Sequence, residues 1–458
     1  MPTTLQGIAN KAKGPLNNNY DNGCCFYGPL WPVDEPECNS YFLTRPKQSK
    51  KHKFLNLYHF LNRDFLRECF LELKKNAAPG VDQVDYYEYQ ENLEENLEAL
   101  VNRLKEECYR AKLVRRKFIL KPNGKLRPLG IPCIEDKIVQ KGVAKILTAI
   151  YEADFLDCSY GYRPNTGAQA AARELSQALQ FGPFGWIVEA DIQGFFDNID
   201  HEWLMRMLAE RIEDRKLLRL IRKWLKAGIL DTSGQVIDPV SGTPQGGIVS
   251  PILANVYLHY ALDLWFEKIV RPSCRGRAKI IRYADDLVCA FQYKQEAKNF
   301  FQELGKRLSK FKLTLAPDKT RILRFSRFQV GGERFEFLGF EFRWGKNRKG
   351  NPQIWRTTAK KKLKAAIANF TVWIKKARNR GKLLIFKTLK LKYQGYWNYY
   401  GVIGNINRLS EFYHITIGIL YKWLNRRSQR RGYNWVSFKE ALVRYQIPEP
   451  RIIEKWAS

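Results

Sequence analysis

The chain has 458 residues, 45% of them hydrophobic, with 78 Lys+Arg against 46 Asp+Glu for a formal net charge of +32. That composition supplies several packed cores and excludes a disordered or collagen-like chain. No apolar run approaches the ~18 residues of a membrane span, and Met1 to Gln6 lacks a signal peptide's layout, so a soluble, cytoplasmic protein with no membrane partner is expected.

The charge predicts a polyanionic partner, because Lys and Arg that replace condensed counterions on phosphates gain ion-release entropy. Residues 343–458 hold 27 basic and 4 acidic residues, a net of +23, which leaves +9 for the first 342. A solvated basic surface is the plainer reading, and a basic membrane-surface region is another. So steep an asymmetry more often marks a nucleic-acid grip. Nine cysteines show no paired zinc spacing; Cys24, Cys25 and Cys38, with His52, form the one cluster, and adjacent cysteines bind a single tetrahedral metal awkwardly. His201 and His259 need no role beyond helix-end or surface hydrogen bonds.

Residues 1–53, rich in Asn, Pro, Gly and Lys, read as an irregular basic extension. The spacing of Leu93, Leu97, Leu100 and Leu104 predicts a helix over 92–109. Val114–Leu120 and Leu126–Ile131 read as strands around a tight Pro122-Asn123-Gly124-Lys125 turn. A helix follows over 134–151. Trp186–Asp191 is a short apolar run that ends in a carboxylate, and a helix starts near His201 with Asp200 as N-cap. Ile248 to Ile269 reads as one helix, and Lys279 to Phe291 as a hairpin with Ala284-Asp285-Asp286 at its tip. The basic last third predicts three helices of a small bundle: one along Leu363, Ile367, Phe370 and Ile374, one along Leu389, Tyr393, Tyr396, Trp397 and Tyr400, and one along Leu409, Phe412, Tyr413, Leu420 and Leu424.

Turn aspartates are common, so neither the strand-end Asp191 nor the hairpin pair Asp285-Asp286 says much alone. Brought together they would suit two Mg²⁺ ions, because hard cations want carboxylate oxygens and phosphoryl transfer needs both entering and leaving oxygens stabilised.

Tyr283-Ala284-Asp285-Asp286 resembles the YxDD box of reverse transcriptases, and Ala190 to Asp200 resembles their first catalytic motif. Ala78–Asp82, Lys121–Pro132, Gly242–Pro251, Leu315–Thr320 and Phe337–Phe340 resemble, in order, further blocks of bacterial group II intron reverse transcriptases, also called maturases. The resemblance implies an α+β right-hand polymerase: an extension with an insertion over 1–53, fingers over 54–185, a palm with antiparallel sheet over 186–342, and a helical thumb or X bundle over 343–458. It implies that Asp191, Asp285 and Asp286 bind two Mg²⁺ ions and carry catalysis. Lys319 would stand near the pyrophosphate, where it could act as general acid. Lys121, Arg127, Ile192, Phe196 and Gln245 would contact the incoming nucleotide. Arg127 and Lys121 flank the fingers turn, and the Phe196 ring would clash with a 2′-hydroxyl; the plainer reading is that Phe195 and Phe196 both pack in the palm. Phe337, Leu338, Gly339 and Phe340 would form the primer grip. Lys360, Lys361, Lys362, Lys364, Arg426, Arg427, Arg430 and Arg431 would hold nucleic acid.

The partners implied are an RNA template, a DNA primer, group II intron RNA and target DNA; the oligomeric state is not implied. The separate DNA-binding and His-Asn-His endonuclease domains that some relatives carry after the thumb are not expected within these residues. The catalytic blocks alone do not separate a maturase from a domesticated enzyme of phage defence, sequence diversification or DNA repair. A binding protein with a relic polymerase site should have lost some of these residues, and none is missing.

Overall fold

A computed structural model describes residues 52–120, 124, 126–231, 234–237, 241–243, 246–329, 331–426 and 432–454. Residues 1–51 with Cys24, Cys25 and Cys38 lie outside these, as do Lys121, Pro244, Gln245, Arg427, Arg430 and Arg431.

Helices α1 (Arg63–Leu71) and α2 (Tyr86–Glu91) open on Asn62 and Asp85, whose side chains accept from first-turn amides. Helix α3 (Leu93–Lys105) is shorter than the expected 92–109. Glu107 is left-handed (φ 58°), and Tyr109 N bonds back to Arg103 O, so the chain turns off the helix axis. Tyr109 then donates its hydroxyl to the buried Asp136.

Strands β1 (Val114–Leu120) and β2 (Leu126–Ile131) pair with Ile119 opposite Arg127. Helices α4 (Ile134–Tyr151) and α5 (Ala168–Phe181), strand β3 (Trp186–Asp191), and helices α6 (His201–Ala209) and α7 (Arg215–Leu225) follow. Asp200 caps α6 by accepting from Trp203 N. Short strands β4 (Ile229–Leu230) and β5 (Val236–Ile237) extend the first hairpin into a mixed sheet of order β2-β1-β4-β5.

The helix expected over 248–269 is α8 (Ser250–Leu258), which runs on through two π turns, His259–Asp263 and Phe266–Val270. Strands β6 (Ala278–Tyr283) and β7 (Asp286–Phe291), helix α9 (Lys294–Lys310) and strand β8 (Arg321–Arg324) complete an antiparallel sheet of order β6-β7-β3-β8. Both faces of this sheet are buried. Val188, Leu287, Cys289 and Phe291 pack into the large helical core, while Ile187, Ile281, Val288, Ala290 and Leu323 pack into a second core. This is why β7 reads as a continuous apolar run rather than an alternation.

That second core is closed by β9 (Phe335–Phe337), β10 (Phe340–Lys346) and β11 (Pro352–Thr358), a sheet of order β11-β10-β9. Helices α10 (Lys360–Ala377), α11 (Lys382–Tyr400) and α12 (Ile406–Asn425) are the three expected at the C-terminus. A fourth, α13 (Trp435–Arg444), joins their core with only Phe438 and Ala441 buried, too thin a stripe to read from periodicity.

Trp397 is wholly buried in this bundle, and its indole donates to Pro448 O at 3.1 Å. Trp397→Ala should destabilise the protein by about 3–5 kcal/mol, measured as a lowered midpoint in urea unfolding.

Candidate active site

Asp191 ends β3 directly opposite Asp286, the first residue of β7, and Asp285 sits in the two-residue turn before it. The hairpin tip is therefore Ala284-Asp285, with Asp286 already in the strand. Antiparallel pairing alone brings the three carboxylates onto one sheet end. Among the described residues, no three His, Cys, Asp or Glu groups are set to hold a metal ion as the side chains stand. Their donor chemistry nonetheless suits a hard divalent cation, because all are carboxylates and two resist ionisation. Burial first, then Asp191, raises the Asp285 carboxyl; burial, then Asp285 and Asp191, pushes Asp286 up to about 7, although its side chain opens onto solvent. A cation would relieve that repulsion. Lys319, in a 3₁₀ turn (Pro317–Lys319), pairs its ammonium with Asp191, and this bond holds its pKa above the ordinary lysine value. Arg127 on β2 is close enough to favour the charged form of Asp285.

The turn is held from below. Ala284 is left-handed (φ 54°), an unfavourable conformation for a residue with a Cβ. Arg282, fully buried, spends its whole guanidinium beneath it. Nε and Nη2 donate to Asp263 at 2.8 and 2.5 Å, Nη2 also to Ser159 Oγ at 2.7 Å, and Nη1 to Asn255 Oδ1 and Ala284 O, both at 3.1 Å. Burial alone would lower the Arg282 pKa, but Asp263 keeps it raised. A π turn carries Asp263 to this place. Asn255 donates in turn to Gly161 O at 2.7 Å. Gly161 must be glycine here, since a Cβ would stand 2.5 Å from Ala284 N. Nothing in the sequence flagged this network, because its members are scattered over four segments and each polar residue looks ordinary alone.

Phe195 is buried against Tyr257, and Phe196 is the more accessible of the pair at 9% exposure. They follow Gly194 (φ 55°) in a 3₁₀ turn. Thr243 N donates to Phe196 O at 2.8 Å, and His201 Nε2 contacts Gly242 O at 2.7 Å. On the far side of the undescribed Pro244-Gln245, Gly246 (φ 121°) lies so close to β2 that a Cβ would meet Gly130 O at 2.4 Å. Gly242 and Thr243 are thus held against the Phe196 turn, and Gly246 against the β1-β2 hairpin. Ile192 buries its side chain in the core, leaving only its backbone to face a ligand.

Leu338 and Gly339 (φ 52° and 83°) form the turn between β9 and β10, and Phe337 and Phe340 anchor it in the second core. Tyr399 donates its hydroxyl to Leu338 O at 2.9 Å, and its ring stacks on Phe340. Lys362 lies beside Gly339 and favours ionisation of Asp286. Lys360, Lys361 and Lys364 are exposed on α10 but do not share that direction, and Arg426 stacks over Trp423 at the end of α12. The structure therefore brings together Asp191, Asp285, Asp286, Lys319, Arg127 and Lys362.

Residues 119–342, which include all three carboxylates, match the family model of "Reverse transcriptase (RNA-dependent DNA polymerase)". The chain is 35% identical over 294 residues to the group II intron-encoded protein LtrA of Lactococcus lactis subsp. cremoris, covering 60% of this chain and 47% of that protein. It is 31% identical over 347 residues to protein YkfC of Escherichia coli (strain K12), covering 69% of this chain and 89% of that one. An uncharacterized 91 kDa protein in the cob intron of Schizosaccharomyces pombe is 37% identical over 236 residues, 49% of this chain and 28% of its own length. The chain spans about half the length of the Lactococcus relative it matches. Among the described residues, no helix is long and apolar enough to cross a membrane.

Arg282→Met would leave Asp263 buried without its partner. The expected loss is about 3–5 kcal/mol of unfolding free energy, against less than about 1 kcal/mol for neutralising the exposed pair Lys306–Glu303, both from denaturant titration.

Proposed function

Because the chain belongs to the family of group II intron-encoded reverse transcriptases, we propose that it is an RNA-directed DNA polymerase that extends a primer with deoxynucleotides. The observation that carries the reading is the pairing of Asp191 with Asp286 beside Asp285, at the sheet end that Arg127 also reaches. The primer 3′-hydroxyl gives up its proton to solvent and attacks the α-phosphorus, a new P–O bond forms, and the bond to pyrophosphate breaks. Asp191, Asp285 and Asp286 would hold two Mg²⁺ ions, which when bound supply charge to the entering and leaving oxygens. Arg127, and Lys121 across the same hairpin turn, would bind the triphosphate from the opposite side.

Lys319 neutralises Asp191 as the site stands. To give a proton to pyrophosphate its ammonium must leave that carboxylate, and its 69% side-chain exposure gives the butyl chain room to do so. Phe196 would lie against the sugar and exclude a 2′-hydroxyl. Gln245 would line the nucleotide pocket. The turn Leu338-Gly339, steadied by Tyr399, would position the primer end. We infer the template to be RNA and the chain to bind group II intron RNA as a splicing cofactor, because its Lactococcus relative is a group II intron-encoded protein. The basic helices α10 to α12 suit an A-form backbone. Mobility into a DNA target belongs to the same reading.

Asp285→Asn with Asp286→Asn should reduce Mg²⁺-dependent primer extension on an RNA template by at least about a thousandfold while leaving template-primer binding in place. Unimpaired extension would remove the site assignment. Phe196→Ala should raise ribonucleotide relative to deoxynucleotide incorporation by tenfold or more, on the order of the 1–3 kcal/mol a lost steric contact is worth. Single-nucleotide kcat/KM ratios measure this.

A further inference from the structure

On β10, Phe340, Phe342 and Trp344 point into the second core, so Glu341 and Arg343 face the other way. Their register partners on β11, Thr357 and Trp355, share that outer face. Together they floor a cavity of about 330 Å³, within the size range of small-ligand sites. Lys360 at the start of α10 and Asn407 and Arg408 at the start of α12 form its walls.

The charge of this cavity is not cancelled. Glu411 is paired with Arg408 at 2.6 Å and Glu341 with Arg334 at 3.5 Å. Arg343 and Lys360 have no carboxylate partner among the described residues. Neither helix carries an acidic residue in its first turn, so both N-termini add positive potential. The indole of Trp355 is half-buried beneath Arg343, which lies 5.8 Å from the ring. A Cβ at Gly345 would strike that indole at 2.3 Å, and one at Gly404 would touch it at 3.4 Å, so the ring is seated against two bare backbones. An immobilised aromatic beside two uncompensated cations is the pairing that grips an unstacked base and its phosphate.

The cavity is separate from the catalytic end. Lys360 and Lys362 diverge by roughly 200° around α10. Lys362 turns to Gly339 and Asp286, and Lys360 to the cavity on the opposite side of the β9-β10-β11 sheet.

We propose that this cavity binds one unpaired nucleotide of a nucleic-acid strand that lies outside the catalytic cleft, with its base against Trp355 and its phosphate on Arg343 and Lys360. Only the class of ligand rests on the function proposed above. Loss of that function in the aspartate variants would leave the cavity's binding intact.

The full chain, presaturated with unlabelled template-primer duplex, is titrated with fluorescent 12-nucleotide single strands of RNA and, separately, DNA. The expected result is residual binding of at least one of them. Arg343→Gln should weaken it severalfold and reduce its salt slope by about 0.7, the value of one phosphate contact on a single strand. Trp355→Ala should weaken it about tenfold, with Trp355→Phe restoring most of the loss. Primer extension should stay within twofold in all three variants. Photocrosslinking of a 4-thiouridine strand should mark Trp355. Complete displacement of both strands by the duplex, or an Arg343→Gln protein with unchanged affinity and salt slope, would overturn the proposal.

Discussion

The pairing of β3 with its two neighbours is the constraint on which the site depends. Sliding β3 by one residue against β7 would exchange its two buried faces and move Asp191 away from Asp286. Three neighbouring carboxylates repel one another by a few kcal/mol at an effective dielectric near 20. Each large apolar side chain of the sheet contributes about 1.5–3 kcal/mol by burial, and Ile187, Val188, Ile280, Ile281, Leu287, Val288, Phe291 and Leu323 are all buried. Packing therefore outweighs repulsion and holds the acids together before any cation arrives. The Arg282 guanidinium supports the same sheet end by supplying a donor to the carbonyl of strained Ala284.

Much of this was legible from local pattern. The helix at 134–151, the strands at 114–120 and 126–131, the cap at Asp200 and the carboxylates at the ends of β3 and β7 all announce themselves through periodicity, turn residues and runs of apolar side chains. The failures share a cause, which is that tertiary contacts decide them. Glu107 stops α3 by adopting a left-handed conformation that no spacing encodes. The first π turn after α8, His259–Asp263, ends on the very residue that pairs with Arg282, a contact made only in the tertiary fold. Helix α13 is stabilised by the bundle it joins, with two buried residues of its own.

The positive charge of the last third also changes meaning once it is placed. In sequence, Lys360, Lys361, Lys362 and Lys364 look like one basic cluster. On a helix they radiate, so that Lys362 acts on Asp286 while Lys360 faces away from it. Several other cations are spent on aromatic rings, among them Lys375, Arg378 and Arg426 around Trp423. Net charge thus measures the appetite of the chain for a polyanion, and side-chain direction decides which part of the surface is served.

Asn405, fully buried at the start of α12, accepts from Thr358 N and donates to Thr358 Oγ1 and Tyr400 O. Its amide stitches the end of β11, the end of α11 and the beginning of α12 into one knot. Swinging the helices relative to the sheet would strip those bonds from a group with no water to replace them, a penalty of several kcal/mol. The C-terminal helices and the β9-β10-β11 sheet therefore behave as a single lever. A load placed on these helices would therefore reach the Leu338-Gly339 turn, to which Tyr399 at the end of α11 also donates, without first breaking the Asn405 knot.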